Sequence, residues 1–231
     1  MDRSEQDDRR KLKTVLTLLR RAHGQRKWEC WGDAVSVLVG TILSQNTNRA
    51  NSTAGFEALR RRFATWEEVA DASPAAVARC IHVSGLGRIK APRIRAILRQ
   101  IRRERGEISL EHLRDLPPAE AYEQLVRFDG VGPKTAWCVL LFSFGMKVFP
   151  VDTHIRRIAI RLGVLAEGAS LEKAHELLAP LVAPADRYEM HVLLIAHGRR
   201  VCLARRPRCR QCNLLRCCPH GQEALEAQMS L

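Results

Sequence analysis

The stretch FDGVGPKTAW, residues 128–137, reads as the corner between two helices. Gly130 and Gly132 lie between helical segments, and glycine permits a positive φ and close approach of another molecule to the backbone. Pro133 suits the first position of the helix that follows. Such a hairpin, with Val131 between its glycines and Thr135 just beyond, points free backbone N–H groups outward at a helix N-terminus. That is a ready phosphate site. The same residues would equally serve an ordinary helix–turn–helix corner. A Walker A loop does not fit, because Lys134 does not directly follow a glycine and no strand precedes it. Lys134 falls in the first helical turn, where a cation opposes the helix dipole. The position suits a lysine that must lose its proton to become a nucleophile. A phosphate-contacting or solvated lysine is the other reading.

Outward from the hairpin the periodicity is helical almost throughout. RRKLKTVLTLLRRAHG carries apolar residues at helical spacing and stops at Gly24. AVSVLVGTILSQ is apolar nearly all round and predicts a buried helix. Thr65 and Glu68 fit a capping box. Ser73 caps a segment with Pro74 in its first turn and Gly85 past its end. Further helices are legible from RIKAPRIRAILRQIRRERG to DRYEMHVLLIAHG, while the polar C-terminal GQEALEAQMSL is expected to fray. The class is all-α, about ten helices joined by short Gly- or Pro-marked turns.

Lys plus Arg is 38 against 25 Asp plus Glu, a net charge of +13 over 231 residues. That excess suggests a polyanionic partner, nucleic acid first, although an Arg-rich solvated surface has the same composition. The charged N-terminus is no secretory signal, and the longest apolar run, WCVLLFSFGM, is too short to span a membrane. The expectation is a cytoplasmic protein, nucleoid-associated if bacterial, in which stable disulfides are disfavoured.

That expectation bears on CLARRPRCRQCNLLRCC, residues 202–218, which holds five of the eight cysteines. Cys202, Cys209, Cys212 and Cys218 have the spacing C-x6-C-x2-C-x5-C. Zinc modules use two close pairs separated by a longer loop, whereas here one close pair exists. Four thiolates in one short segment suit an iron–sulfur cubane, modestly favoured over zinc. Cys217 offers an alternative spacing. Cys30, Cys80 and Cys138 read as inert core thiols. In FPVDTHIRR, Asp152 precedes a helical pattern. It is either an N-cap or a carboxylate that stabilises a developing cation or activates a nucleophile, and the cap would fix its position in both cases.

Together these stretches resemble the endonuclease III family of DNA glycosylases and AP lyases, in the helix-hairpin-helix superfamily. GVGPKTA is similar to the family's hairpin, VDTHIRR to its catalytic-aspartate segment, and HGRRVCLARRPRC to the approach to its four-cysteine pattern. ILSQNT and SGLGRIKA resemble two further DNA-facing stretches. The resemblance runs in order from about Ala34 to Cys218. It implies a bilobal all-α fold, with a six-helix barrel over 27–146 and an iron–sulfur lobe made of 1–26 with 147–231, the catalytic pair lying at the cleft between them. It implies a [4Fe–4S] cluster on Cys202, Cys209, Cys212 and Cys218, with Lys134 and Asp152 as the catalytic pair.

The implied partner is double-stranded DNA containing damaged bases or AP sites, engaged by a monomer with no membrane association. The implied activity is excision of oxidised pyrimidines, followed by strand nicking through β-elimination. The damaged base must be flipped out, at a cost on the order of a few kcal/mol. Gln45 and Leu86 match the residues that fill the hole, and a polar plug beside an apolar wedge suits that space. Without the resemblance they would read as a helix-end Gln and a loop Leu over core. Gly130, Val131, Gly132 and Thr135 would contact DNA at the hairpin, and Arg205, Arg206 and Arg208 from the loop between the first two cluster cysteines.

Two departures stand out. Phe128 and Asp129 replace the family's usual Leu-Pro and set an acid beside the expected phosphate. Asn48 stands where many members have Asp, which keeps open a mismatch-directed thymine or uracil preference. Lys134 counts against a purely monofunctional enzyme. Lys134 and Asp152 together count against a non-catalytic iron–sulfur DNA-binding protein, because binding alone requires neither.

Overall fold

The computed structural model describes residues 3–229. In chain order the helices are α1 (Arg3–His23), α2 (Ala34–Leu43), α3 (Arg49–Arg62), α4 (Trp66–Asp71), α5 (Pro74–Cys80) and α6 (Gly87–Arg105). They continue with α7 (Pro118–Val126), α8 (Pro133–Phe144), α9 (Thr153–Arg161), α10 (Leu171–Leu181), α11 (Arg187–Arg200) and α12 (Pro219–Met229). Among the described residues there is no strand. None of the helices described is long and apolar enough to cross a membrane. The chain divides into two compact units, Glu29–Met146, and Met1–Trp28 with Lys147–Leu231.

Helix boundaries follow local chemistry. Asp33, Asn48, Thr65, Ser73, Asp152 and Ser170 each cap a helix, the side-chain oxygen accepting a backbone N–H of the first turn. Each such cap stabilises by about 1 kcal/mol. The Thr65 box closes in a shifted form: Thr65 accepts from Glu68 N, while Glu68 reaches back to Ala64 N at 2.8 Å rather than to the cap residue. Gly24, Gly106 and Gly145 end α1, α6 and α8.

In the Glu29–Met146 unit α2 packs on α8, and both are apolar on most of their circumference. Val35, Leu38, Val39 and Ile42 of α2 are buried, as are Val139, Leu140 and Leu141 of α8. Tyr122 of α7 stacks on Trp137 of α8 with centroids 4.2 Å apart, which ties the two helices flanking the hairpin.

The other unit brings the N-terminal helix to the C-terminal third of the chain. Leu12, Val15, Leu16 and Leu19 form one stripe of α1. They share a core with Ile155 and Ile158 of α9, Leu178 of α10 and Leu193 of α11. Arg20 fastens this packing. Its guanidinium donates to Glu189 at 2.6 and 2.9 Å and to Asp186 at 3.0 Å, and the other Glu189 oxygen accepts Arg26 N.

Two helices depart from expectation. α3 escapes a periodicity reading because it buries only Ser52, Gly55 and Leu59. Gly55 is there for approach: a Cβ would lie 2.0 Å from Ser84 Oγ. The C-terminal segment expected to fray is helical as far as it is described, α12 running to Met229, and its last two residues lie outside the described residues. Gly221 packs against Leu215 and Cys218 and anchors the start of that helix.

Glu189 is buried and accepts from three N–H donors of two residues, so Glu189→Ala is expected to destabilise its unit by about 1–3 kcal/mol, discounted because Arg20 is partly exposed. Urea unfolding checks this. Wild-type stability in the variant would mean that the contact contributes nothing.

Candidate functional site

The hairpin between α7 and α8 is built on one left-handed residue rather than two. Gly130 has φ +74°, while Gly132 is extended and occupies the N-cap of α8. Gly130 is doubly constrained, because a Cβ there would lie 2.2 Å from Arg93 Nε. Val131 is buried and its N–H bonds Phe128 O at 3.0 Å, closing the turn. The N–H groups of Gly132 and Lys134 have no hydrogen-bond partner among the described residues, as expected at an open helix N-terminus. Lys134 is half-buried at the second position of α8. Asp129 is 91% exposed, and its only ion pair among the described residues is a loose one to Arg93 at 3.8 Å.

Thr135 is buried, with its Oγ1 3.5 Å from Gln45 Nε2. Gln45 is half-buried just beyond α2, and the next residue, Asn46, has φ +54°. Asn48 caps α3, which accounts for its place without any ligand. Leu86 precedes α6 with φ +55° and is 48% exposed, so it does not cover core. Ile89, one turn on in the same stretch, is exposed too, though it was not singled out from the sequence. Asn46, Leu86 and Arg206 are the non-glycine residues with positive φ among those described. All three lie in the stretches read from sequence as DNA-facing. Such strain costs about 1–3 kcal/mol each and clusters at functional sites.

Asp152 caps α9 with one oxygen. Oδ1 accepts the N–H groups of His154 and Ile155, both at 2.9 Å, while Oδ2 has no hydrogen bond among the described residues. Capping and a chemical role are therefore compatible in one side chain. The single peptide group joining Pro150 to Val151, one residue upstream, is held at both its carbonyl and its N–H. His191 Nδ1 donates to Pro150 O at 2.8 Å, and the His175 ring takes the Val151 N–H at 3.2 Å. Burial pushes the His175 pKa below its ordinary value of 6.5, against the opposing pull of Asp152 and Glu172.

The cysteine-rich segment wraps a recess of about 290 Å³, counting its open mouth. Cys202, Cys209, Cys212 and Cys218 line it with Arg161 and His220, whereas Cys217 does not. Cys217 donates to Leu214 O at 3.2 Å. Burial raises the Cys212 thiol to about 11 and the Cys218 thiol in the same direction, so both stay neutral unless a positive group compensates. The Arg161 guanidinium donates to Cys202 Sγ at 3.1 Å and to Leu203 O at 2.7 Å. Among the described residues no three His, Cys, Asp or Glu side chains converge on a single ion. Four thiols around one recess are a donor set that fits a compact multi-atom group. Arg205, Arg206 and Arg208 of the intervening loop are exposed, and Arg208 N bonds Val201 O at 3.0 Å across its base.

Residues 39–184 match the HhH-GPD superfamily of base excision DNA repair proteins. An endonuclease III of Sulfolobus acidocaldarius is 34% identical over 181 residues, which cover 77% of this chain and 78% of that one. The chain belongs to the endonuclease III family. A putative DNA glycosylase of Arabidopsis thaliana is 38% identical over 162 residues, and that match spans 70% of this chain but 55% of the plant protein. A non-covalent endonuclease III–DNA complex superposes with TM-score 0.80 over 94% of this chain and 98% of the other, at 22% identity, and shows the shared fold. The endonuclease III framework thus supplies a helix-hairpin-helix glycosylase of base excision repair.

Two outcomes follow from this geometry. Gly130→Ala should lower stability by about 1–2 kcal/mol or more and weaken duplex binding, read by thermal melts and fluorescence anisotropy. Wild-type values would show that the hairpin relaxes freely. The depressed His175 pKa means the folded state binds fewer protons than the unfolded chain between the two pKa values. Stability should therefore fall as pH drops below about 6.5, and His175→Gln should make that slope shallower by up to one proton. An unchanged slope would remove His175 from the account.

Proposed function

We propose that the chain is a bifunctional DNA glycosylase and AP lyase that removes oxidised pyrimidines from duplex DNA. The observation that carries this reading is the primary amine of Lys134 in the first turn of α8, behind the Gly130 hairpin. The free Nζ attacks C1′ of a flipped nucleotide. The glycosidic C1′–N bond breaks, the base leaves with the electron pair, and the nitrogen loses one proton; the C1′–O4′ bond then opens, O4′ takes up a proton, and the nitrogen lone pair forms the C1′=N bond of a protonated Schiff base. Loss of a C2′ proton then expels the 3′ phosphate by cleavage of C3′–O. The Asp152 carboxylate stabilises the cationic sugar and helps deprotonate the amine, using the oxygen that capping leaves over.

Gln45 and Leu86 fill the space of the displaced nucleotide. Open N–H groups at the start of α8, with Arg205, Arg206 and Arg208, take backbone phosphates. Asp129 weakens the hairpin's share of that contact. Cys202, Cys209, Cys212 and Cys218 would hold a [4Fe–4S] cluster, which when bound supplies structural closure of the basic loop rather than an open coordination site. Arg161 orients Cys202 for it.

Lys134→Gln should abolish strand nicking while binding survives, and Lys134→Arg should fail likewise because guanidinium does not attack carbon. Asp152→Asn retains the cap and should slow base release by about 10²–10³-fold. Base release without nicking in the wild type would favour a monofunctional mismatch enzyme instead. Cys218→Ser should lose iron from anaerobically purified protein, where the wild type carries about four irons per chain, and Cys217→Ser should retain it. Stoichiometric zinc without iron would overturn the cluster.

A further inference from the structure

Lys90 lies on a strongly basic helix, yet it is 2% exposed. Its Nζ donates to three backbone carbonyls: Leu43 O at 2.8 Å, Gln45 O at 2.7 Å and Ser84 O at 2.9 Å. An ammonium has three N–H donors, so all are spent and no lone pair remains for chemistry. Its own backbone N–H also bonds Leu86 O at 2.9 Å. The three carbonyls come from two segments. Leu43 ends α2 and Gln45 follows it; Ser84 closes the short turn that precedes Gly85 and Leu86. Each segment carries a residue held at positive φ, Asn46 in one and Leu86 in the other. Strained turns persist only where their surroundings over-determine them.

We propose that Lys90 is a positioning residue, whose buried ammonium fixes as one unit the two turns that present Gln45 and Leu86 to DNA. The inference rests on the proposed insertion of those two side chains. A buried cation needs compensation, and three converging carbonyl dipoles provide it without a carboxylate. Burial alone pulls the Lys90 pKa below the ordinary lysine value, and the carbonyls hold the proton in place. An apolar side chain there would leave three acceptors buried and unpaired, and each turn would be free to relax separately. The positioning is mutual: shifting Gln45 disturbs the carbonyl set that holds the Leu86 turn.

The test compares wild type with Lys90→Met, and with Lys90→Gln, which keeps two N–H donors in case the first variant fails to fold. The probe is a duplex with an abasic-site analogue opposite 2-aminopurine, whose fluorescence reports insertion. Nicking of a true abasic duplex under single-turnover conditions and affinity for undamaged duplex are measured alongside. In Lys90→Met, affinity for undamaged DNA should stay within about twofold, because the charge is buried and touches no phosphate. The insertion signal should fall, and the single-turnover rate should drop about 10–100-fold with little change in KM. Lys90→Gln should lie between. In a Gln45→Ala, Leu86→Ala background the Lys90 substitution should add little further loss. Wild-type insertion and rate in Lys90→Met, or an equally large loss in that background, would overturn the positioning role. A wild-type protein that neither nicks nor inserts would instead overturn the glycosylase–lyase reading on which this one rests.

Discussion

The burial of α8 against α2 fixes where the Glu29–Met146 unit places its chemistry. α8 is buried on most sides and bounded by glycine at each end, with Gly132 at its start and Gly145 in a left-handed conformation at its close. A helix held this way does not slide, so its first turn occupies one position. The same two helices also set the place of Gln45. α2 ends at Leu43, two residues before Gln45, and Gln45 reaches Thr135 of α8. A change in the α2–α8 contact would therefore move the Lys134 amine, the hairpin N–H groups and Gln45 together.

Helix N-termini recur as the positioning device. Lys134 is the second residue of α8, Asp152 caps α9, and Leu86 precedes α6. Each end has a different electrostatic use. Open N–H groups and a positive dipole end suit a phosphate at α8. At α9 the same N–H groups orient a carboxylate. At α6 the end is occupied by a strained leucine whose exposure has no packing reason. Stability is given up at these places and recovered in the cores, which is the usual distribution at functional sites.

How far the sequence was legible depended on the range of the interaction. Caps such as Thr65, Ser73 and Asp152 act within three residues and stood out from composition and spacing alone. So did the α1 stripe of Leu12, Val15, Leu16 and Leu19. α3 did not, because its register is set by a small residue, Gly55, meeting Ser84 from another segment. Lys90 was invisible within the basic run RIKAPRIR: two of its carbonyl partners lie 47 and 45 residues away. Arg161 likewise meets Cys202 across 41 residues. Spacing left Cys217 and Cys218 as alternatives, and three-dimensional packing separates them, because only Cys218 lines the recess. The GxG spacing does not say which glycine needs the left-handed region, and the structure assigns it to Gly130.

The central claim is that the amine at the start of α8 becomes covalently attached to sugar. It is tested most directly by trapping the wild-type protein with borohydride on a duplex containing an oxidised pyrimidine and locating the adduct by mass spectrometry of the digested complex. The account predicts one deoxyribose-derived adduct, on the peptide containing Lys134 and on that residue. An adduct on the N-terminal amine or on another lysine, with Lys134 unmodified, would contradict it.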